Sequence, residues 1–105
     1  MRRINSREKK LLTELIQISG KFYSIEEIEV SELKDDGMGS LYLGSSNLKD
    51  KRFFGKRVAE AEYLDNDKIP IIVSLNVDQF DDLFELDIWK VDYSKVNKYP
   101  EPDSN

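Results

Sequence analysis

Hydrophobic spacing changes once along this chain, at Gly20, and that change limits what it can fold into. Before it, Leu11, Leu12, Leu15 and Ile16 recur at helical spacing, with Ile4 and Ile18 outside the stripe. Asn5 or Ser6 can cap the start, and Asn5-Ser6-Arg7-Glu8 approximates a capping box. Gly20 stands where a left-handed residue ends a helix. Residues 6–19 are therefore expected to form one amphipathic helix. Its single apolar face must pack against something.

Everything after Gly20 reads with a period near two. Ile28, Val30 and the polar residues between them alternate, and residues 40–43 read as a return strand after the turn at Asp35-Asp36-Gly37-Met38-Gly39. Residues 44–55 are the longest irregular stretch, with Phe53 and Phe54 expected to anchor it to the core. Residues 57–64 look extended again, and Asp65-Asn66-Asp67-Lys68 is a strong turn signal. The next strand, residues 69–77, alternates cleanly through Ile69, Ile71, Val73, Leu75 and Val77. Residues 83–93 form the last strand, with Phe84, Leu86 and Ile88 expected on one face and Leu83, Glu85, Asp87 and Trp89 on the other. One helix followed by strands joined through short turns indicates an α+β domain. The expected architecture is an amino-terminal helix packed on a curved antiparallel sheet of about five strands. A single domain is expected over residues 5–94, with a flexible tail over 95–105.

Composition narrows the chemistry. There is no histidine and no cysteine among the 105 residues. Imidazole acid–base catalysis, thiolate nucleophiles, disulfides and Cys/His zinc sites cannot be built from these side chains. Carboxylate, amine, hydroxyl and phenol chemistry remain. The net charge of −5 is unevenly spread. Residues 1–57 hold 12 basic and 9 acidic residues, net +3, whereas residues 58–105 hold 4 and 12, net −8. The overall sign argues against nucleic acid, whose binding depends on neutralising phosphates. The stretch Lys49-Asp50-Lys51-Arg52-Phe53-Phe54-Gly55-Lys56-Arg57 mixes bases with aromatics, but nine residues in an acidic chain are a short run. No apolar run of about 7–15 residues follows the basic start, and no run approaches the roughly 20 that a membrane span needs. A cytoplasmic protein that does not enter a membrane is expected.

The acidic residues are the candidate surface. Glu60 and Glu62 share one face of their strand, and Asp65 and Asp67 flank its turn. Asp78, Asp81 and Asp82 crowd the next turn, and Glu85 and Asp87 share a strand face beside Trp89. If these strands are sequential neighbours, Glu60/Glu62 and Glu85/Asp87 lie on one side, separated by Ser74 and Asn76. Such a set can meet a basic protein partner, and no cofactor or catalytic residue is assigned. The alternative is a small carboxylate-based enzyme or a divalent-metal site using Glu60, Glu62, Glu85 and Asp87. Asp65-Asn66-Asp67 starts like a calcium-binding loop, but no glycine at the sixth position and no glutamate at the twelfth follow. The plain structural reading of Glu85 and Asp87 is an ion pair with Arg57 or Lys56. A third arrangement places Trp89, Tyr63 and Tyr42 around a ligand cavity.

Two stretches carry a resemblance. Asp36-Gly37-Met38-Gly39-Ser40-Leu41 and Glu85-Leu86-Asp87-Ile88-Trp89-Lys90-Val91-Asp92 resemble the "DGGMGSL"-like turn and "ELDxWKxD"-like final strand of a family of short bacterial proteins of unknown function. Asp36 stands where the first glycine of that turn is expected. The likeness spans residues 6–93 and implies no reaction, cofactor or catalytic residue. In size and charge the chain is also similar to bacterial toxin-immunity proteins, an analogy of general character.

Overall fold

A computed structural model describes residues 1–34, 37–44 and 51–102. Residues 35–36 of the glycine-containing turn, 45–50 of the long irregular stretch and 103–105 of the expected tail lie outside the described residues. The elements run β1 (Arg2–Arg3), α1 (Ser6–Ser19), β2 (Glu29–Glu32), β3 (Leu41–Gly44), β4 (Phe54–Leu64), β5 (Pro70–Asp78) and β6 (Leu83–Lys90). The fold is α+β, one helix and one antiparallel sheet in the order β1-β2-β3-β6-β5-β4. Among the described residues the sheet has six strands rather than about five. The additional strand is β1, two residues that pair Arg2 with Val30 and Arg3 with Glu29. Two residues carry no period, so no alternation announced it.

The helix forms where its local signals place it. The Asn5 side chain accepts the Glu8 N–H at 2.8 Å, and the Glu8 carboxylate accepts the Asn5 N–H at 3.0 Å, completing the capping box. Gly20 closes the other end at φ +71°, its N–H donating to the Gln17 carbonyl. Leu11, Leu12 and Leu15 are fully buried as α1 packs over β4 and β5. Burying each contributes roughly 1.5–3 kcal/mol. The core beneath is the alternating set of β5, Ile71, Val73, Leu75 and Val77, with Leu41 and Leu43 of β3 and Leu86 and Ile88 of β6. Arg2 ties β1 down, reaching Glu8 of the helix and Glu32 of β2, both at 2.6 Å.

Two local expectations are corrected. The register of β5 against β6 shifts between Asn76 and Val77, so Val77 opposes Leu83 and Asn76 opposes Glu85. Phe84 is the extra residue of this bulge. Leu83 therefore joins Leu86 and Ile88 in the core, while Phe84 packs edge-on against Tyr42 at 5.6 Å. Phe53 and Phe54 do not anchor the long connection, since both are more than half exposed. Arg52 anchors it instead. Its guanidinium lies 2.7 Å from Asp78, donates to the carbonyls of Leu43 and Leu83, and sits over the rings of Tyr42 and Phe84.

Beyond β6 the chain returns to the body. The N–H groups of Asn97 and Lys98 donate to Asp65 at 2.7 and 2.9 Å, Val96 and Tyr99 pack on the core, and Pro100 is buried.

Strand β4 starts at Phe54, three residues earlier than the alternation suggests, because the register slips between Phe54 and Lys56 and again between Arg57 and Ala59. Gly55 permits this close approach. A Cβ there would stand 2.3 Å from the Asp78 carbonyl oxygen. Gly55→Ala is expected to destabilise the fold by about 1–3 kcal/mol, the usual range for overpacking. A lower urea midpoint checks this, and an unchanged midpoint would show that the strand pair can spread at no cost.

Candidate functional site

The fold sorts the acidic residues into three groups with different work to do. The first is internal. Lys90 ends β6 on the core face and is 1% exposed, and its ammonium lies 3.0 Å from Asp65 and 2.5 Å from Asp67. Asp65 is itself buried and accepts the N–H groups of Asn66, Asn97 and Lys98. Burial alone would push its carboxyl up, but the Asn97 N–H, the Lys90 ammonium and the other backbone donors outweigh it and hold it down to about 2. Burial likewise works against the Lys90 ammonium, and Asp67 and Asp65 overcome it, so the amine is held above the ordinary lysine value. An internal cation thus occupies the place where the Asp65-Asn66-Asp67 pattern hinted at calcium.

Asp78 repeats the arrangement at the other end of the same strands. It accepts from Arg52 and from the N–H groups of Phe80 and Asp82, and both side chains of the ion pair are nearly sealed from solvent. Burial raises its carboxyl, and Arg52 with the backbone donors brings it below the usual range. Asp65, Asp67 and Asp78 are therefore spent on holding the sheet.

The second group stands on the sheet face opposite α1. The register sets Glu60 beside Ser74 and Ser74 beside Asp87, and sets Glu62 beside Ile72 and Ile72 beside Trp89. Glu85 lies between Asn76 and Tyr42. Glu60, Glu62, Glu85 and Asp87 are thus brought onto one face, with Ser74 and Asn76 buried between them. Arg57 reaches Glu60 at 2.8 Å rather than Glu85 or Asp87, and Asp87 lies 3.1 Å from the Ser40 hydroxyl. Glu60 and Asp87 sit two strands apart, roughly 10 Å between backbones at the usual strand spacing. Among the described residues, no three Asp or Glu side chains come close enough to hold a metal ion.

Trp89 is half-buried on this face and stacks on Tyr93 with ring centres 5.7 Å apart. Tyr42 is occupied by Phe84 and Arg52, and Tyr63 belongs to the helix face, where its hydroxyl donates to Glu14. The three aromatics expected around a cavity do not converge.

The third group is the turn after β5. Asp81, in the left-handed region at φ +66°, accepts from the Tyr23 hydroxyl at 3.1 Å and lies 3.7 Å from Lys21, while Asp82 is exposed. These contacts bring Phe22, 92% exposed, to the same end of the sheet as the exposed Phe53, Phe54 and Phe80. Sequence reasoning did not find this aromatic end, because a paired phenylalanine reads by default as core.

A family described as a domain of unknown function (DUF6984) matches residues 1–100, and the chain belongs to it. No curated protein and no solved structure matches the chain.

The internal carboxylates give a pH signature. A carboxyl held below its ordinary value contributes stability that is present above that value and is lost as pH falls through the folded one. For Asp65 the window runs from about pH 4 down to about 2. Urea midpoints measured across this window are expected to fall less steeply in Asp65→Asn than in the unaltered chain. Equal slopes would remove Asp65 as a source of acid sensitivity.

Proposed function

We propose that this member of the family is a non-enzymatic protein-interaction module, and that the sheet face opposite α1 meets a basic protein partner. The observation that carries the reading is the division of the acidic residues. Asp65, Asp67 and Asp78 are neutralised internally by Lys90 and Arg52, whereas Glu60, Glu62, Glu85 and Asp87 are displayed together beside Trp89. Glu60 keeps an exposed pair with Arg57 and Asp87 a contact with the Ser40 hydroxyl, but among the described residues no buried cation meets this set, and its mutual repulsion favours a basic partner. The buried Ser74 and Asn76 between the rows keep the face low, which suits a broad contact better than a substrate cleft.

A face of one sign accelerates encounter with a partner of the other. Steered association reaches about 10⁸–10⁹ M⁻¹s⁻¹ at low salt, against about 10⁵–10⁶ without steering. It also rejects acidic competitors, because like charges brought together are costly. Trp89 and Tyr93 supply the amphipathic ring area that interfaces favour beside such charges. An immunity-like role is one form of this chemistry, in which a small acidic module from a bacterial cytoplasm covers the basic surface of a toxin.

Affinity capture from the native host, followed by titration of the captured protein between 50 and 300 mM salt, tests the reading. A basic partner is expected, with affinity falling roughly tenfold or more over that range as screening grows. The combined Glu60→Lys, Glu62→Lys, Glu85→Lys and Asp87→Lys variant is expected to lose the partner, and the corresponding glutamine and asparagine variant to weaken it. Salt-independent binding, or full binding by the charge-reversed variant, would overturn the proposal.

A further inference from the structure

Among the described residues, the acidic face ends at a free sheet edge. Strand β4 has β5 as its single neighbour, and among the described residues no backbone hydrogen bond reaches it from the other side. Its register slips lie in the first half, so residues 59–64 form a regular run paired one-to-one with residues 75–70 of β5. Alternate N–H and C=O groups of that run face outward without a ladder partner, which is the template for strand addition.

The side chains along the run select what can add. Ala59 and Ala61 on the helix side are small, and Glu60 and Glu62 stand on the open face. A second copy of the chain is a poor occupant. In the face-aligned antiparallel registers that centre on residue 60, 61 or 62, Glu60 or Glu62 meets Glu60 or Glu62 of the copy. Like charges directly opposite one another destabilise a strand pair. A strand with lysine or arginine at alternate positions reverses that sign.

A groove of about 440 Å³ lies at the carboxyl end of the same run. Glu14, Glu62 and Glu101 line it, together with Tyr63 and Leu64. Leu64 is 66% exposed there, and Glu101 lies 4.0 Å from Arg7. Lys98 also lines the groove, leaving three carboxylates against one amine. On the open-face side of the groove a long basic side chain fits, its stem against Leu64 and its charged end toward Glu62.

We propose that β4 receives the partner: an extended basic segment adds antiparallel to residues 59–64 as a seventh strand. Its alternate lysine or arginine side chains face Glu60 and Glu62, and one of them enters the groove beside Leu64. This deepens the open-face reading and rests on it, and it names the partner element as a strand rather than a helix or a loop.

Amide exchange followed by NMR on the full chain tests it with two capped peptides of one composition. One alternates lysine with valine over eight residues, and the other has its four lysines together. The alternating peptide is expected to slow exchange at alternate amides within residues 59–64 by tenfold or more, and the clustered peptide to leave them unchanged. Glu60→Lys with Glu62→Lys, both exposed positions, is expected to weaken the alternating peptide at least tenfold. Binding of both peptides equally, with shifts around Glu85, Asp87 and Trp89 and no protection in β4, would overturn strand addition while leaving the open face as the contact surface. Failure of the alternating peptide to bind would also overturn strand addition. The open-face reading answers separately to the salt titration of the captured partner.

Discussion

A lysine ammonium sealed inside the protein is the constraint on which the arrangement of the sheet turns. Taking Lys90 out of water is costly unless its charge is met at once, and Asp65 and Asp67 meet it from the β4–β5 turn. That contact fixes the end of β6 against the turn. The same carboxylate also fixes the chain at Asn97, through the oxygen that meets Lys90, and at Lys98, through the other oxygen. Arg52 and Asp78 do the same at the opposite end, tying the connection before β4 to the end of β5 and to the carbonyls of β3 and β6. Between these two clamps the three long strands are held in one register. The rows Glu60–Ser74–Asp87 and Glu62–Ile72–Trp89 are a result of that register.

What could be read from residues alone follows the range of the interaction involved. The helix was legible because Asn5, Glu8, the leucine spacing and Gly20 all act within a few residues of one another. The face shared by Ser74, Asn76, Glu85 and Asp87 was legible because alternation and short turns fix it. The bulge at Phe84 was not, since a bulge is a property of a strand and its neighbour together. Arg52 and Lys90 were not read as internal, because a charge in sequence looks like surface until its partner, 25 or so residues away, is known. Lys90 did leave a trace, for Leu86, Ile88 and Lys90 continue one alternation and so share the core face.

The candidate surface was therefore half visible. Nine carboxylates drew attention as one group beside a tryptophan, and their chemistry on paper was uniform. Folding divides them by partner: three are spent on buried cations, two close a turn among exposed phenylalanines, and four face outward around Trp89. Charge counts cannot make that division. It depends on which carboxylates find a cation inside, and that depends on strand order.

Strand order also sets how the molecule can be assembled. β6 is the last strand in sequence, yet it sits in the interior of the sheet between β3 and β5. A chain emerging from the ribosome can close the β2–β3 hairpin and the β4–β5 hairpin early, as each is joined locally. Until β6 arrives, these two pieces share no strand, and each shows an apolar side to the cell. Inserting the final strand closes two ladders at once and brings Lys90 to its carboxylates. Completion of this fold is thus a late, long-range event, with loop-closure entropy to overcome before any of that contact is gained.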